Sequence, residues 1–209
     1  MQQNRNGMNF IEFRTNFVEL GCFNVHQVYA KYPKFDRNNL TRWVKAGYLG
    51  KLRQGYYAFS EYLGKSDFAL YLSNRIYKPS YVSLHTALAF YGIIPEAVTQ
   101  ITAVSALKTA EFTNAFGLYS YQTIKGELLF GYELKPYGDR VIQFAYPEKA
   151  ILDLLYLYPF YNTAEEMENL RFDEYFMSEE LNIRRLKDFL QKFHSKALDT
   201  RVQIMLSTY

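Results

Sequence analysis

The first sixty residues are divided into short pieces by residues that end helices, and this punctuation constrains the fold more than any other feature of the chain. Phe10, Phe13, Phe17 and Leu20 recur at steps of three or four and define one apolar helix face, after which Gly21 stands in the C′ position. Asn24 can cap a second short helix carrying Val25, Val28 and Tyr29, which Pro33 stops. Asp36 is placed to cap a third helix, with Leu40, Trp43 and Val44 on its apolar face. Arg37, Asn38, Asn39, Thr41, Arg42 and Lys45 cover the rest, until Gly47 closes it. Two β-prone runs, residues 48–52 and 56–59, then flank Arg53, Gln54 and Gly55, which predicts a hairpin.

Three helices followed by a hairpin is the order of a winged helix-turn-helix, whose second motif helix enters the major groove while the hairpin reaches the flanking backbone. The charge supports that placement. Residues 1–60 carry nine Lys or Arg (Arg5, Arg14, Lys31, Lys34, Arg37, Arg42, Lys45, Lys51 and Arg53) against Glu12, Glu19 and Asp36, a net +6, while the remainder holds 15 against 18, a net −3. The natural partner of so basic a segment is a polyanion. Asn and Arg can make bidentate contacts with adenine and guanine edges, and Lys and Thr can hold phosphates. The candidate contacts to double-stranded DNA are therefore Arg37, Asn38, Asn39, Thr41, Arg42 and Lys45 on the helix, with Lys51, Arg53 and Gln54 on the wing. Trp43, between Leu40 and Val44, has the spacing of a core residue and not of a base-stacking one. A protein-docking module is the competing reading, and its sign would be an exposed apolar patch on the third helix.

Residues 62–65 read as a short hinge, so the expected division is 1–62 and 63–209. A helix is expected from Ser66 to about Arg75, broken by Pro79. A short extended piece follows at residues 80–83, then a helix capped by Ser83 through Leu84, Leu88 and Tyr91, ended at Gly92. Runs at 101–104, 118–124, 128–134 and 140–145 predict an antiparallel sheet of about four strands. Pro147 opens an apolar helix to Leu157, and from Thr163 onward a charged helical tail begins, in which Thr163 and Glu166 have capping-box spacing. The expected class is α+β. The 38 aromatic rings (20 Tyr, 17 Phe, 1 Trp) are assigned to two small cores, one in each unit.

Catalytic signatures are absent: there is no P-loop, GxGxxG, GxSxG or HExxH, and His26, His85 and His194 lie far apart. A non-enzyme without cofactor or metal is expected. The nearest approach to a nuclease-like site is Glu148, Lys149 and Asp153, but Glu148 and Asp153 are about 140° apart on one helix. Glu148 and Lys149 read as a solvated pair at a helix start, and His85 as a capping or packing residue. The single Cys22 reads as a buried thiol in a reducing compartment. No apolar run reaches the ~18 residues of a membrane span and residues 1–7 are polar, so a soluble, unexported, cytoplasmic protein is expected.

Three phrases in this order resemble the AbiEi family of type IV antitoxins: LGKLRQGYY at 49–57, PSYVSLHTALAFYGIIPE at 79–96 and AYPEKAILDLLYL at 145–157. The tail NIRRLKDFLQKFHSKALDTRV, 182–202, resembles the family's end. These are transcriptional regulators encoded beside AbiEii nucleotidyltransferase toxins in bacterial abortive-infection (phage-defence) modules. The resemblance implies an N-terminal winged helix that binds operator DNA for autoregulation, with the contacts on residues 37–45 and 51–54. It also implies a C-terminal antitoxin domain that counters the toxin without forming a stable complex with it. The net −3 of the second unit departs from the basic antitoxin domains that occur in the family.

Overall fold

A computed structural model describes residues 8–65 and 67–209, so Arg5, the polar residues 1–7 and the Ser66 helix start lie outside the described residues. The protein is mixed α+β, with one sheet of three strands and one of six.

The N-terminal unit follows the punctuation. Helix α1 spans Phe10–Phe17 and is capped by Asn9, whose Oδ1 accepts from Glu12 N at 2.8 Å. It ends three residues earlier than the apolar periodicity suggests, because Val18–Leu20 tighten into a 3-10 turn, and Leu20 is exposed. Strand β1 (Cys22–Asn24) leads into α2 (Val25–Lys31) through a reciprocal capping box: Asn24 Oδ1 accepts from Gln27 N at 3.0 Å, and Gln27 Oε1 accepts from Asn24 N at 2.8 Å. Helix α3 spans Asn38–Lys45, one residue later than a cap at Asp36 implies. Asp36 still receives Asn38 N at 2.9 Å, acting one position outside the cap. Strands β2 (Leu49–Arg53) and β3 (Tyr56–Phe59) form the hairpin, and the sheet order is β1-β3-β2, all antiparallel, with a bulge between Lys51 and Arg53. Phe13 fills the centre: it is fully buried and lies 4.7 Å, ring to ring, from both Phe17 and Trp43. Trp43 is buried, as its spacing predicts.

The second unit departs further from expectation. Helix α4 (Phe68–Ile76) precedes β4 (Ser80–Val82) and α5 (Leu84–Phe90); β5 (Gln100–Ser105), β6 (Ala110–Asn114) and β7 (Gly117–Thr123) follow, then β8 (Tyr132–Tyr137) and β9 (Arg140–Ala145). The sheet has six strands in the order β6-β7-β5-β4-β9-β8 and is mixed, because β5 pairs with β7, and β4 with β9, in parallel. The four-strand antiparallel expectation therefore falls short in both count and sense. Strand β6 lies outside the expected runs because its alternation is only half buried, and β4, expected as an isolated extended piece, is a paired strand. Residues 126–128 form a 3-10 turn in place of the start of a strand. Beyond the sheet, α6 (Pro147–Leu157) packs on α5, and α8 (Ile183–Gln191) and α9 (Lys196–Thr208) pack on α6. Thr163 and Glu166 make the expected capping box at the start of α7 (Ala164–Glu168).

The units share one core. The buried apolar residues of the described chain form a single contiguous cluster, not two. Tyr62, expected in a hinge, is buried and stacks on Phe68 with centroids 4.5 Å apart; its hydroxyl donates to Val18 O at 2.9 Å and accepts from Arg140 Nη2 at 3.0 Å. At the other end of the seam an ideal Cβ on Gly50 of β2 would lie 2.7 Å from Phe116 Cε2, closer than real side chains approach, so only glycine admits that ring.

Candidate nucleic-acid interface

Burial decides which of the predicted contacts can face a ligand. Leu40 and Trp43 fix the inner side of α3 against Phe13 and Phe35, which turns Arg37, Asn38, Thr41, Arg42 and Lys45 outward, and all five are exposed. Asn39 is not among them: it is 2% exposed, and its Oδ1 accepts from Arg42 Nη2. It therefore cannot reach a base without leaving the core, and its work in this structure is to hold the Arg42 guanidinium. Within the hairpin, Lys51 and Gln54 are exposed.

Arg53 is the larger correction. Its guanidinium carbon lies 4.9 Å from the Tyr56 ring centroid, 5.7 Å from Tyr77 and 5.4 Å from Phe112, so two of its three rings come from the second unit. A cation surrounded by three ring faces is held by their quadrupoles and is not free at a wing tip. The bulge between Lys51 and Arg53 causes the difference, since it turns Arg53 toward the seam while Lys51 stays in solvent.

The exposed cations of the N-terminal unit keep their charge available. Arg14 pairs with Glu61 at 2.7 Å, whereas Lys31, Lys34, Arg37, Arg42, Lys45 and Lys51 form no ion pair among the described residues. On α3 nothing apolar is exposed; Leu40 and Trp43 are buried and Val44 is half-buried. Such a face can neutralise phosphates and present amide and guanidinium donors to base edges.

The second cluster that the sequence singled out lies in the interior. Glu148, Lys149 and Asp153 are all buried, so the solvated-pair reading does not hold. Lys149 is 0% exposed; its Nζ donates to Tyr81 Oη at 2.7 Å and to Asp153 Oδ1, and lies over the rings of Phe130 and Phe193. Tyr81 and Ser83 donate to Asp153 Oδ2 at 2.8 and 2.7 Å. Ser83 thus serves Asp153 and does not cap α5. Burial pushes the Lys149 ammonium below the ordinary lysine range, with Asp153 pulling the other way, and burial followed by Asp153 pushes the Tyr81 hydroxyl well up. Gly131, at φ +70°, leaves the space the lysine stem needs: a Cβ there would stand 3.0 Å from Lys149 Cγ. Glu148 accepts from Asn182 N at 3.1 Å and pairs with Arg185 at 3.4 Å, tying α8 to α6. Both oxygens of each carboxylate are engaged inside the protein. No group of three or more His, Cys, Asp or Glu that could hold a metal occurs among the described residues.

No protein-family model and no curated protein matches this chain.

His85 lines a cavity of about 450 Å³ with Glu96, Thr102 and Tyr161 beneath α5, and burial lowers its pKa while Glu96 opposes the shift. It faces Tyr158 edge-on at 6.1 Å, which is the packing role expected of it. Leu84 before it holds φ +59°, a conformation costly for a branched side chain, and is fully buried. Among the described residues no helix is long and apolar enough to cross a membrane.

Proposed function

We propose that the protein is a DNA-binding transcriptional regulator whose N-terminal unit acts as a winged helix-turn-helix, with α3 as the recognition helix and the β2–β3 hairpin as the wing. The observation that carries this reading is the outward face of α3, which exposes Arg37, Asn38, Thr41, Arg42 and Lys45 and no apolar side chain. The element order α1-β1-α2-α3-β2-β3, with sheet order β1-β3-β2, supports the placement. A docking helix would present apolar anchors there, and this one buries them.

The antitoxin role rests on the resemblance of the phrases at 79–96 and 145–157 to the AbiEi family. On that reading the second unit counters an AbiEii-like nucleotidyltransferase without binding it stably, and the first represses the shared operon.

The DNA half is tested by measuring affinity for the DNA upstream of the protein's own gene across a salt series. If all six exposed, unpaired cations met phosphates, log Kobs would fall with log[salt] at a slope of roughly −5. Arg42→Ala should relax sequence preference and Lys51→Ala should reduce the slope by about one. Undetectable or salt-independent binding sinks the assignment. The antitoxin half is a separate claim, and failure to rescue growth from the cognate neighbouring nucleotidyltransferase on co-expression would sink it.

A further inference from the structure

A second concave, cationic feature lies away from α3, between α4 and the β8–β9 hairpin. Its wall on the helix side is the stripe Tyr71, Asn74, Arg75 and Lys78, and on the sheet side Leu134, Arg140, Val141 and Gln143, enclosing about 370 Å³. Three of those residues are cations and none is a carboxylate. Arg75, Lys78 and Arg140 form no ion pair among the described residues. Two of the guanidiniums are held by one ring, since Arg75 lies 5.8 Å and Arg140 5.4 Å from the Tyr71 centroid. That ring is in turn fixed by its hydroxyl, which donates to Leu20 O at 3.2 Å.

The second observation is independent of charge. Asn74 is 4% exposed, its Oδ1 accepts from Gln143 N at 2.7 Å, and its Nδ2 is a buried donor with no acceptor. The backbone N–H fixes which end of the amide is which, so the orphan is the donor. A buried unmade donor costs about 1 to 3 kcal/mol and calls for an acceptor that the protein does not supply. The rim is apolar: Leu134 is 59% and Val141 50% exposed, on adjoining strands.

We propose that this cavity binds the phosphoryl group of a small organic phosphomonoester with an apolar body, for which AMP serves as the probe. The anion sits among Arg75, Lys78 and Arg140 beside the Asn74 amide, and the ligand's organic body covers Leu134 and Val141. The planar Arg75 guanidinium suits a phosphate's bidentate geometry, while the Lys78 ammonium and Arg140, whose Nη2 is committed to the seam, add charge. Burial, and then Arg75, push the Lys78 pKa down, the direction expected of like charges held without a counter-ion. Arg140 also donates to Glu19 O and Tyr62 Oη across the seam, so an occupant would rest against the contact that joins the two units.

The test is a titration of the full-length, isotope-labelled chain with inorganic phosphate, AMP and adenosine at ionic strength held constant with chloride. The Asn74 side-chain amide and the Arg75 and Arg140 Nε resonances are followed by NMR. Saturable shifts are expected with phosphate and with AMP, AMP binding at least tenfold more tightly and adenosine at least tenfold more weakly than AMP. Arg75→Gln and Lys78→Gln, both at solvent-accessible positions, should each weaken AMP at least tenfold while leaving the backbone amide spectrum of the folded protein unchanged away from the cavity. Shifts that chloride reproduces, or that survive both substitutions, overturn the site. Equal affinity for phosphate and AMP overturns the organic ligand. A duplex of arbitrary sequence that moves the Asn74 resonance where AMP does not would assign the cavity to a DNA backbone phosphate, and the small-molecule proposal fails.

Discussion

Removing Lys149 tests whether the buried cluster on α6 is a coupled unit. Lys149→Met keeps most of the stem's volume but leaves Asp153 fully buried with only the Tyr81 and Ser83 hydroxyls for company. Breaking a buried pair from one side costs about 3 to 5 kcal/mol, because the surviving charge stays out of water. For a chain of 209 residues that corresponds to a fall of roughly 6 to 20 °C in melting temperature. Asp153→Asn should cost a similar amount for the mirror reason. The double replacement Lys149→Met with Asp153→Asn removes both charges, keeps an amide oxygen to accept from the two hydroxyls and leaves one buried amide N–H group unpaired, at about 1 to 3 kcal/mol. It should therefore be less destabilising than the two single substitutions added together, by at least ~2 kcal/mol.

The pH response supplies the sign. Burial lowers the Lys149 pKa in the folded state below its unfolded value of about 10.4, and removing Asp153 takes away the group that opposes this. Between the folded pKa and about 10.4 the unfolded chain binds more protons, so stability rises with pH in that window. The deficit of Asp153→Asn should then shrink as the pH rises toward the unfolded value of about 10.4, more steeply than any change in the parent. Above about pH 10 the unfolded tyrosine ionises while Tyr81, its pKa raised by burial, does not, and the trend reverses. Urea unfolding across pH, followed by far-UV circular dichroism, measures all four proteins. Additive single effects, or a deficit independent of pH, would refute the reasoning.

Three other perturbations address the seam and the N-terminal unit. Gly50→Ala places a methyl 2.7 Å from Phe116 Cε2 and should cost about 1 to 3 kcal/mol, recovered in part by Phe116→Leu, as read by thermal melts. Arg53→Ala should lower stability by about 1 to 2 kcal/mol through its three rings and leave the salt slope of DNA binding within experimental error of the parent's; a slope reduced by one would return Arg53 to the DNA-facing set. The Cys22 thiol, pushed up to about 12 by burial, should resist alkylation at pH 8 in the native protein and react fully once the chain is unfolded. Fast native-state labelling would contradict its placement.

Local chemistry was legible wherever neighbours in sequence are the partners. The Asn24 cap, the Thr163–Glu166 box, the stop after Lys31 and the Pro147 helix start all involve residues within one turn, and their positions matched to within a residue or two. The six-strand sheet was not legible, because β4 owes its place to β5 on one side and β9 on the other, a pairing between residues some sixty positions apart. Three residues of β-prone sequence carry no signal of that kind. The burial of Lys149 was hidden for a related reason. A lysine at a helix start is ordinarily solvated, and only the convergence of Tyr81, Phe130 and Phe193 from three distant segments encloses it.

Charge was the signal that needed the most correction. A count of +6 treats every cation in residues 1–60 alike, but the structure gives them different environments. Arg14 is neutralised by Glu61, and Arg53 is committed to aromatic faces at the seam. The basic character that remains free in the described unit lies at the end of α2, in the turn that follows, on α3 and at Lys51. Conversely, the net −3 of the second unit concealed Arg75, Lys78 and Arg140 around one cavity, because net charge averages over a surface whose local field is set by the few groups within a Debye length. The aromatic richness of the chain bears on the same point. Tyr56, Tyr77 and Phe112 hold Arg53, while Tyr62 and Tyr71 hold Arg140, so rings from both units enclose cations along their boundary as well as filling the core.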